Sequence, residues 1–154
     1  MALLVHRNRR STARTTGSAL GAAALLGVAS GMRSTAGLGI LVLRGGSRPG
    51  AAKAAAVVAV GAELVLDKLP VTGSRLEAPG LIGRVTFAAI GGALVARGTD
   101  LAPLPAALVA AGAALASAKV FHDLRALADR RIPDAAVAVA EDTLAIGVAT
   151  LAAG

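Results

Sequence analysis

Residues 17–43 read GSALGAAALLGVASGMRSTAGLGILVL, an apolar stretch interrupted near its middle by Gly31-Met32-Arg33-Ser34. About 20 apolar residues in a helix span a bilayer, so this stretch is long enough to cross a membrane. Glycines beside a charged arginine favour a break in the helix at this point. A broken helix frees backbone groups that can bind an ion or an anionic group, whereas the alternative is a tolerated glycine-rich kink. The stretch therefore predicts a membrane helix broken near Gly31–Arg33.

Four further apolar stretches follow along the chain, at about residues 50–66, 81–96, 101–120 and 135–154, the last two separated by a polar segment, Phe121–Asp134. They are rich in alanine and lack the alternation of apolar and polar residues that is typical of strands. The pattern predicts an all-α, polytopic membrane bundle of about five Ala/Gly-rich helices. Residues 1–16 are predicted to be a basic cytoplasmic tail, and residues 17–154 a single transmembrane domain.

Composition supports this class of protein. Of 154 residues, 55% are hydrophobic and 16% are charged, against about 25% charged in a typical soluble domain. The chain contains 39 alanines and 19 glycines, so a soluble core would bury little area per residue. The absence of cysteine excludes disulfides, thiol catalysis and structural zinc fingers.

The net charge of +7 is assigned to loops beside anionic lipid. Nucleic acid is not expected as a partner, because no basic stripe carries interleaved aromatic residues: Phe87 and Phe121 are the only aromatics. The expected partners are the lipid bilayer and further copies of the chain.

Small residues recur four apart, as in Gly17/Gly21, Gly27/Gly31 and Ala110/Ala114. Such pairs let helix backbones approach closely in lipid, where burial of apolar surface drives helix association only weakly. Five short helices enclose little volume, so a homo-oligomer is expected, with a dimer favoured.

The distribution of Lys and Arg predicts an orientation. If all five stretches cross, eleven Lys/Arg lie on the side of the N-terminal tail and four on the other side. The positive-inside rule then places the N-terminus in the cytoplasm and the C-terminus outside, as in a multi-pass protein of the bacterial plasma membrane. The alternative for the first stretch is a secretory signal with Val28-Ala29-Ser30 as the cleavage site.

Ionisable residues within or beside the apolar stretches are the candidate site. Charges inside a bilayer are costly and usually face a partner or a water-filled cavity. We expect Arg33 to pair with Glu141 or Asp142, and Glu63 and Asp67 to pair with Arg84 or Lys68. The candidate residues for an ion or substrate pathway are Arg33, Glu63, Asp67, Lys68, Arg84, Glu141 and Asp142.

These charges and the broken helix favour a transporter or channel-like protein for an ion or small polar solute, whose identity the sequence does not give. The alternative is a non-transporting membrane scaffold or assembly subunit whose ion pairs are structural. A membrane-embedded enzyme is third and not expected: His6 and His122 lack metal-ligand spacing, and no phosphate loop or nucleophile elbow is present. No cofactor and no metal are expected. Charges that converge on a water-accessible cavity would favour transport, and charges paired in a dry core would favour a scaffold.

Three segments together resemble a known family. They are Gly27-Val28-Ala29-Ser30-Gly31-Met32-Arg33, Ala62-Glu63-Leu64-Val65-Leu66-Asp67-Lys68-Leu69-Pro70, and Ala140-Glu141-Asp142-Thr143-Leu144-Ala145-Ile146. They are similar to the bacterial membrane family called domain of unknown function 4126, over about residues 25–149. The resemblance implies a multi-helix membrane protein and supplies no substrate.

Overall fold

The computed structural model describes residues 15–45, 50–66, 78–97, 99–128 and 133–154. Within these ranges the chain forms helices and no strand, as the sequence predicts. The helices are α1 Thr16–Met32, α2 Ala36–Arg44, α3 Gly50–Leu66, α4 Ala78–Ala96, α5 Pro103–Ala128 and α6 Asp134–Ala153. The described residues therefore contain six helices, one more than the apolar stretches suggest.

The additional helix arises because the first apolar stretch is an antiparallel hairpin. The predicted break is confirmed: α1 ends at Met32 and α2 begins at Ala36. After the break α2 turns back along α1, so that Gly37 lies against Ser30 and the Leu26 carbonyl. The stretch is thus not one continuous crossing. Only Gly at position 37 leaves room for this contact, because a Cβ would overlap both neighbours.

The remaining helices alternate in direction. The α4 helix runs antiparallel to α1, since Gly91 lies against Leu26 while Arg84 reaches Gly31. The α5 helix runs parallel to α1. The α6 helix is antiparallel to α1, because Arg33 pairs with Asp142 while the residues near the start of α1 pack against Ala152. The start of α1 and the end of α6 therefore lie at the same end of the bundle.

Small residues form the contact between α1 and α5. Gly27 lies against the backbone of Ala110, and Gly31 against the backbone of Ala114, so two of the small-residue pairs predicted from the sequence pack on each other. The α4 helix packs on α5 in the same way, through Gly92. The buried core is made mainly of alanine, and Leu26 and Met32 are the only large apolar side chains that are fully buried in the described residues.

The fifth helix is longer than the sequence suggests. The segment Phe121–Asp134 is predicted to be a polar connection, but α5 continues through its first eight residues to Ala128. This part of the prediction is wrong because Leu124, Arg125 and Leu127 are good helix formers despite the polar residues among them. His122, expected in a loop, lies on this helix and is half-buried.

Two helices in the described ranges are long and apolar enough to cross a membrane, at Pro103–Ala128 and Ala135–Ala153. Only 28% of the apolar part of each is buried within the bundle. Shorter apolar helices are present at Thr16–Met32, Gly50–Gly61 and Gly80–Ala96.

The close approach of α1 and α5 makes a prediction about stability. We expect Gly27→Val to lower the free energy of unfolding by about 1–3 kcal/mol, the usual cost of overpacking, because the added carbons would overlap the Ala110 backbone. Thermal unfolding in detergent, followed by size-exclusion chromatography, measures the effect. Gly112→Val is the matched control, since nothing lies within 4 Å of a Cβ at Gly112. Equal losses in both variants would contradict this packing.

Candidate functional site

The helix break places Arg33 inside the bundle. Arg33 follows α1 in an extended conformation, with φ −140° and ψ 120°, and its backbone N–H donates to the carbonyl of Ala29. The residue is only 3% exposed, and its guanidinium forms an ion pair with the Asp142 carboxylate of α6. The predicted pairing of Arg33 with an acid of the last helix is confirmed, with Asp142 as the partner.

Arg84 of α4 also contacts the break, through the carbonyl group of Gly31 at the end of α1. The last carbonyl groups of a helix have no partner within the helix and carry the negative end of its dipole. The Arg84 guanidinium donates to the carbonyl of Gly31 at 2.8 Å, and the residue is 4% exposed. The Arg84 guanidinium therefore supplies a hydrogen-bond donor to the end of α1 at a position that water does not reach.

A second ion pair joins α5 to α6. The Arg125 guanidinium donates to the Glu141 carboxylate at 3.4 Å, with side chains 23% and 5% exposed. This distance exceeds the 2.7–2.9 Å or so of a strong charge-assisted hydrogen bond. A cavity of about 250 Å³ lies beside the pair, between the end of α5 and the start of α6.

The charged residues gather near one end of the bundle rather than in its middle. Glu141 lies about 10 Å along α6 from Asp134, Arg84 about 9 Å along α4 from Ala78, and Arg125 about 5 Å before the end of α5, at 1.5 Å per residue. The sequence placed Arg33 midway along a single crossing. The hairpin moves it to the turn between two helices, and hence to the end of the bundle.

Four of the candidate residues, Arg33, Arg84, Glu141 and Asp142, therefore belong to one cluster, which we call the ionic cluster together with Arg125. Glu63 lies in α3, but its side chain is outside the described part of the structure, as are Asp67 and Lys68 entirely. The pairing predicted for Glu63 and Asp67 stays a prediction.

Sequence reasoning missed two contributors. Arg125 is not among the candidate residues, because it lies in the segment Phe121–Asp134 that is predicted to be a polar connection. Ser117 donates from its hydroxyl to the carbonyl of Val28 at 2.8 Å, which ties α5 to α1. A signal for Ser117 did exist: it continues the face of Ala110 and Ala114 at helical spacing.

The chemistry of the ionic cluster is cationic. It contains three guanidinium groups and two carboxylates, and this excess of positive charge suits binding of an anion better than binding of a metal ion. Among the described residues, no group of three or more His, Cys, Asp or Glu side chains is placed to hold a metal ion.

The chain matches no family model, no curated protein and no solved structure in the three comparisons made.

The buried pair of Arg33 and Asp142 predicts an energetic coupling. Removing one partner of a buried pair strands the other charge and costs about 3–5 kcal/mol. We expect Arg33→Ala to lower folded yield and the thermal midpoint, and the double variant with Asp142→Ala to recover part of both. Folded yield and thermal midpoint are measured by size-exclusion chromatography in detergent.

The matched control is the exposed pair of Lys119 and Asp123, whose Nζ and Oδ2 atoms are 2.8 Å apart on α5. Removing either should change stability by less than about 1 kcal/mol. Additive losses for Arg33 and Asp142 would contradict their coupling.

Proposed function

We propose that the chain is an integral membrane protein, and the observation that carries the proposal is its inside-out packing. Sixteen large apolar residues of the described ranges are exposed, among them Leu104 at 67%, Leu108 at 63% and Leu151 at 73%. The buried positions are mainly alanine and glycine, with Arg33, Arg84 and Glu141. In water, a leucine that stays exposed loses the stabilisation of about 1.5–3 kcal/mol that its burial would give. Soluble monomers therefore rarely expose large apolar patches. Lipid is the solvent that suits this surface.

Further features support a bacterial cell membrane as the location. The longest apolar helices, α5 and α6, lie with most of their apolar part on the outside of the bundle. The resemblance to domain of unknown function 4126 points to the same location. The α1 helix has 17 residues and measures about 25 Å, so spanning requires a locally thinned bilayer.

The hairpin changes the orientation expected from the sequence. Each connection between two helices belongs to the end of the bundle at which those helices terminate, and its Lys and Arg residues are counted at that end. The end that carries the N-terminus then has eight, and the opposite end has seven besides Arg33 at the turn. The bias that favoured a cytoplasmic N-terminus disappears, and we propose that the two termini lie on the same side of the membrane.

Cysteine labelling tests this arrangement in a chain that has no cysteine of its own. We expect Thr16→Cys and Gly154→Cys to react in the same way with an impermeant maleimide added to intact cells, either both before lysis or both only after it. Both positions are exposed. Labelling of one before lysis and of the other only after it would contradict the proposed topology, and recovery of both variants in the soluble fraction would contradict membrane insertion.

Within the membrane class, we propose a scaffold or assembly subunit. Arg33 and Arg84 are almost fully buried and bonded to groups of the bundle itself. Beyond the ionic cluster, toward the end that carries the N-terminus, the described buried positions are alanine, glycine, Leu26 and Val95, with Ser30 and Ser117 as uncharged polar residues. These features support a structural role for the charges, which would fix the helix hairpin against α4 and α6.

A homo-oligomer, with a dimer favoured, fits this proposal. Among the described helices α3 packs only against α2, which leaves Val57 and Val58 on its outer face 57% and 69% exposed. A second copy that packs on α3 would bury this face by close helix contact in lipid.

Transport of an ion or small polar solute is the second candidate. The cavity beside Arg125 and Glu141 favours transport, because it makes this charged pair accessible from outside the bundle. A pathway would have to pass from this cavity to Glu141 and Arg33, and then between protomers.

Flux measurements in proteoliposomes discriminate between the two functions. For a scaffold, we expect the release of protons, potassium and chloride to equal that of protein-free vesicles, with an ionophore added at the end as the positive control. Flux above this background that is lost in Glu141→Gln would contradict the scaffold proposal and support transport. The exposed Asp123→Asn variant is the matched control for loss of a carboxylate on the same end of the bundle.

A further inference from the structure

The cavity between α5 and α6 has one charged wall and otherwise apolar walls. Its apolar lining comes from Phe121, Leu124 and Ala128 on α5, and from Val137, Ala140 and Leu144 on α6. The charged wall is the pair of Arg125 and Glu141. The cavity forms because these helices, although consecutive in the chain, hardly touch: the ion pair bridges two diverging elements. Such a lining fits an amphiphile better than an ion or a polar solute.

The position of Arg125 along its helix fits the level of lipid headgroups. The apolar part of α5 runs to Ala118, and Arg125 follows seven residues later, about 10–11 Å further along the axis. His122 and Asp123 lie in the same final turns. Leu124 and Leu144, which line the cavity, are 51% and 53% exposed, so the cavity opens toward the apolar surroundings.

The chemistry of Arg125 selects the headgroup. A guanidinium carries five N–H donors in a planar fork that matches a phosphate, and Glu141 accepts from one of its terminal nitrogens at 3.4 Å. We infer that this cavity is a binding site for one anionic phospholipid per protomer, with its phosphate on Arg125 and an acyl chain against the apolar walls. The inference rests on the proposed membrane location. It adds a specific lipid partner to the ionic cluster, whose other cations, Arg33 and Arg84, are buried.

Native mass spectrometry tests the site. The full-length protein is reconstituted in phosphatidylcholine vesicles that contain a minor fraction of phosphatidylglycerol, then released in mild detergent and weighed with its retained lipids. We expect one phosphatidylglycerol per protomer to be retained in preference to phosphatidylcholine. A charge-assisted hydrogen bond to phosphate is worth about 1.5–3 kcal/mol, so Arg125→Gln should lower this retention about tenfold or more.

Cavity-filling variants and a charge control separate binding in the cavity from general attraction to anionic lipid. Ala140→Phe fills the cavity without changing a charge and should lower retention to a similar degree, while Ala128→Leu is a smaller filler for use if the first variant does not fold. Lys119→Ala is the matched control: it removes an exposed cation of the same helix that does not line the cavity, and it should leave retention unchanged.

Three results would overturn the lipid site. They are equal retention of the two lipids, an equal loss in Lys119→Ala and Arg125→Gln, and unchanged retention in a folded cavity-filling variant. Flotation with vesicles of phosphatidylcholine alone reports separately on the membrane location. Protein that floats but shows no lipid preference refutes only the site, and protein that does not float refutes the proposed membrane class.

Discussion

An α-helix that ends inside an apolar bundle must find partners for its last carbonyl groups, and much of this fold follows from how α1 meets that requirement. Arg84 donates to the Gly31 carbonyl, which has no partner within the helix, and Ser117 adds a hydrogen bond to the Val28 carbonyl one turn earlier. Arg33, the residue at the break, is held by Asp142. These contacts come from α4, α5 and α6, so the last turns of α1 and the residue after them hold three other helices in position. The chain can then turn back into α2 with the Gly31 carbonyl and the Arg33 guanidinium both paired.

Small residues make this arrangement possible. Gly27 and Gly31 allow α1 to contact the backbone of α5, and Gly92 does the same for α4. The close packing brings arginines from neighbouring helices within reach of the break. It also explains the inside-out character of the bundle. An interior built mainly from alanine and glycine has room for few large apolar side chains such as Leu26 and Val95, and sixteen others in the described ranges lie exposed on the outer surface. Lipid accommodates such a surface at no cost, so this packing supports the proposed membrane location.

Much of this organisation could be predicted from the sequence. The helical class follows from alanine-rich runs, the break from Gly31 and Arg33, and the pairing of Arg33 with Glu141 or Asp142 from the cost of an isolated charge in apolar surroundings. The direction of α2 could not be predicted, because residues 17–43 are long enough for one crossing and the turn depends on the tertiary contact of Gly37 with Ser30 and Leu26. The role of Arg125 was missed for a similar reason, since it depends on how far α5 extends.

The antiparallel hairpin of α1 and α2 is the central claim, because the position of the ionic cluster and the proposed topology both depend on it. Spin labels on cysteines introduced at Gly17 and Gly45, in a chain without native cysteine, report on it directly through the distance between them in lipid nanodiscs. Neighbouring helix axes lie about 8–10 Å apart, so the hairpin predicts a short distance, on the order of 10–20 Å once the label linkers are included. A continuous helix over these 28 steps would separate the labels by about 42 Å, and a distance near that value would contradict the hairpin.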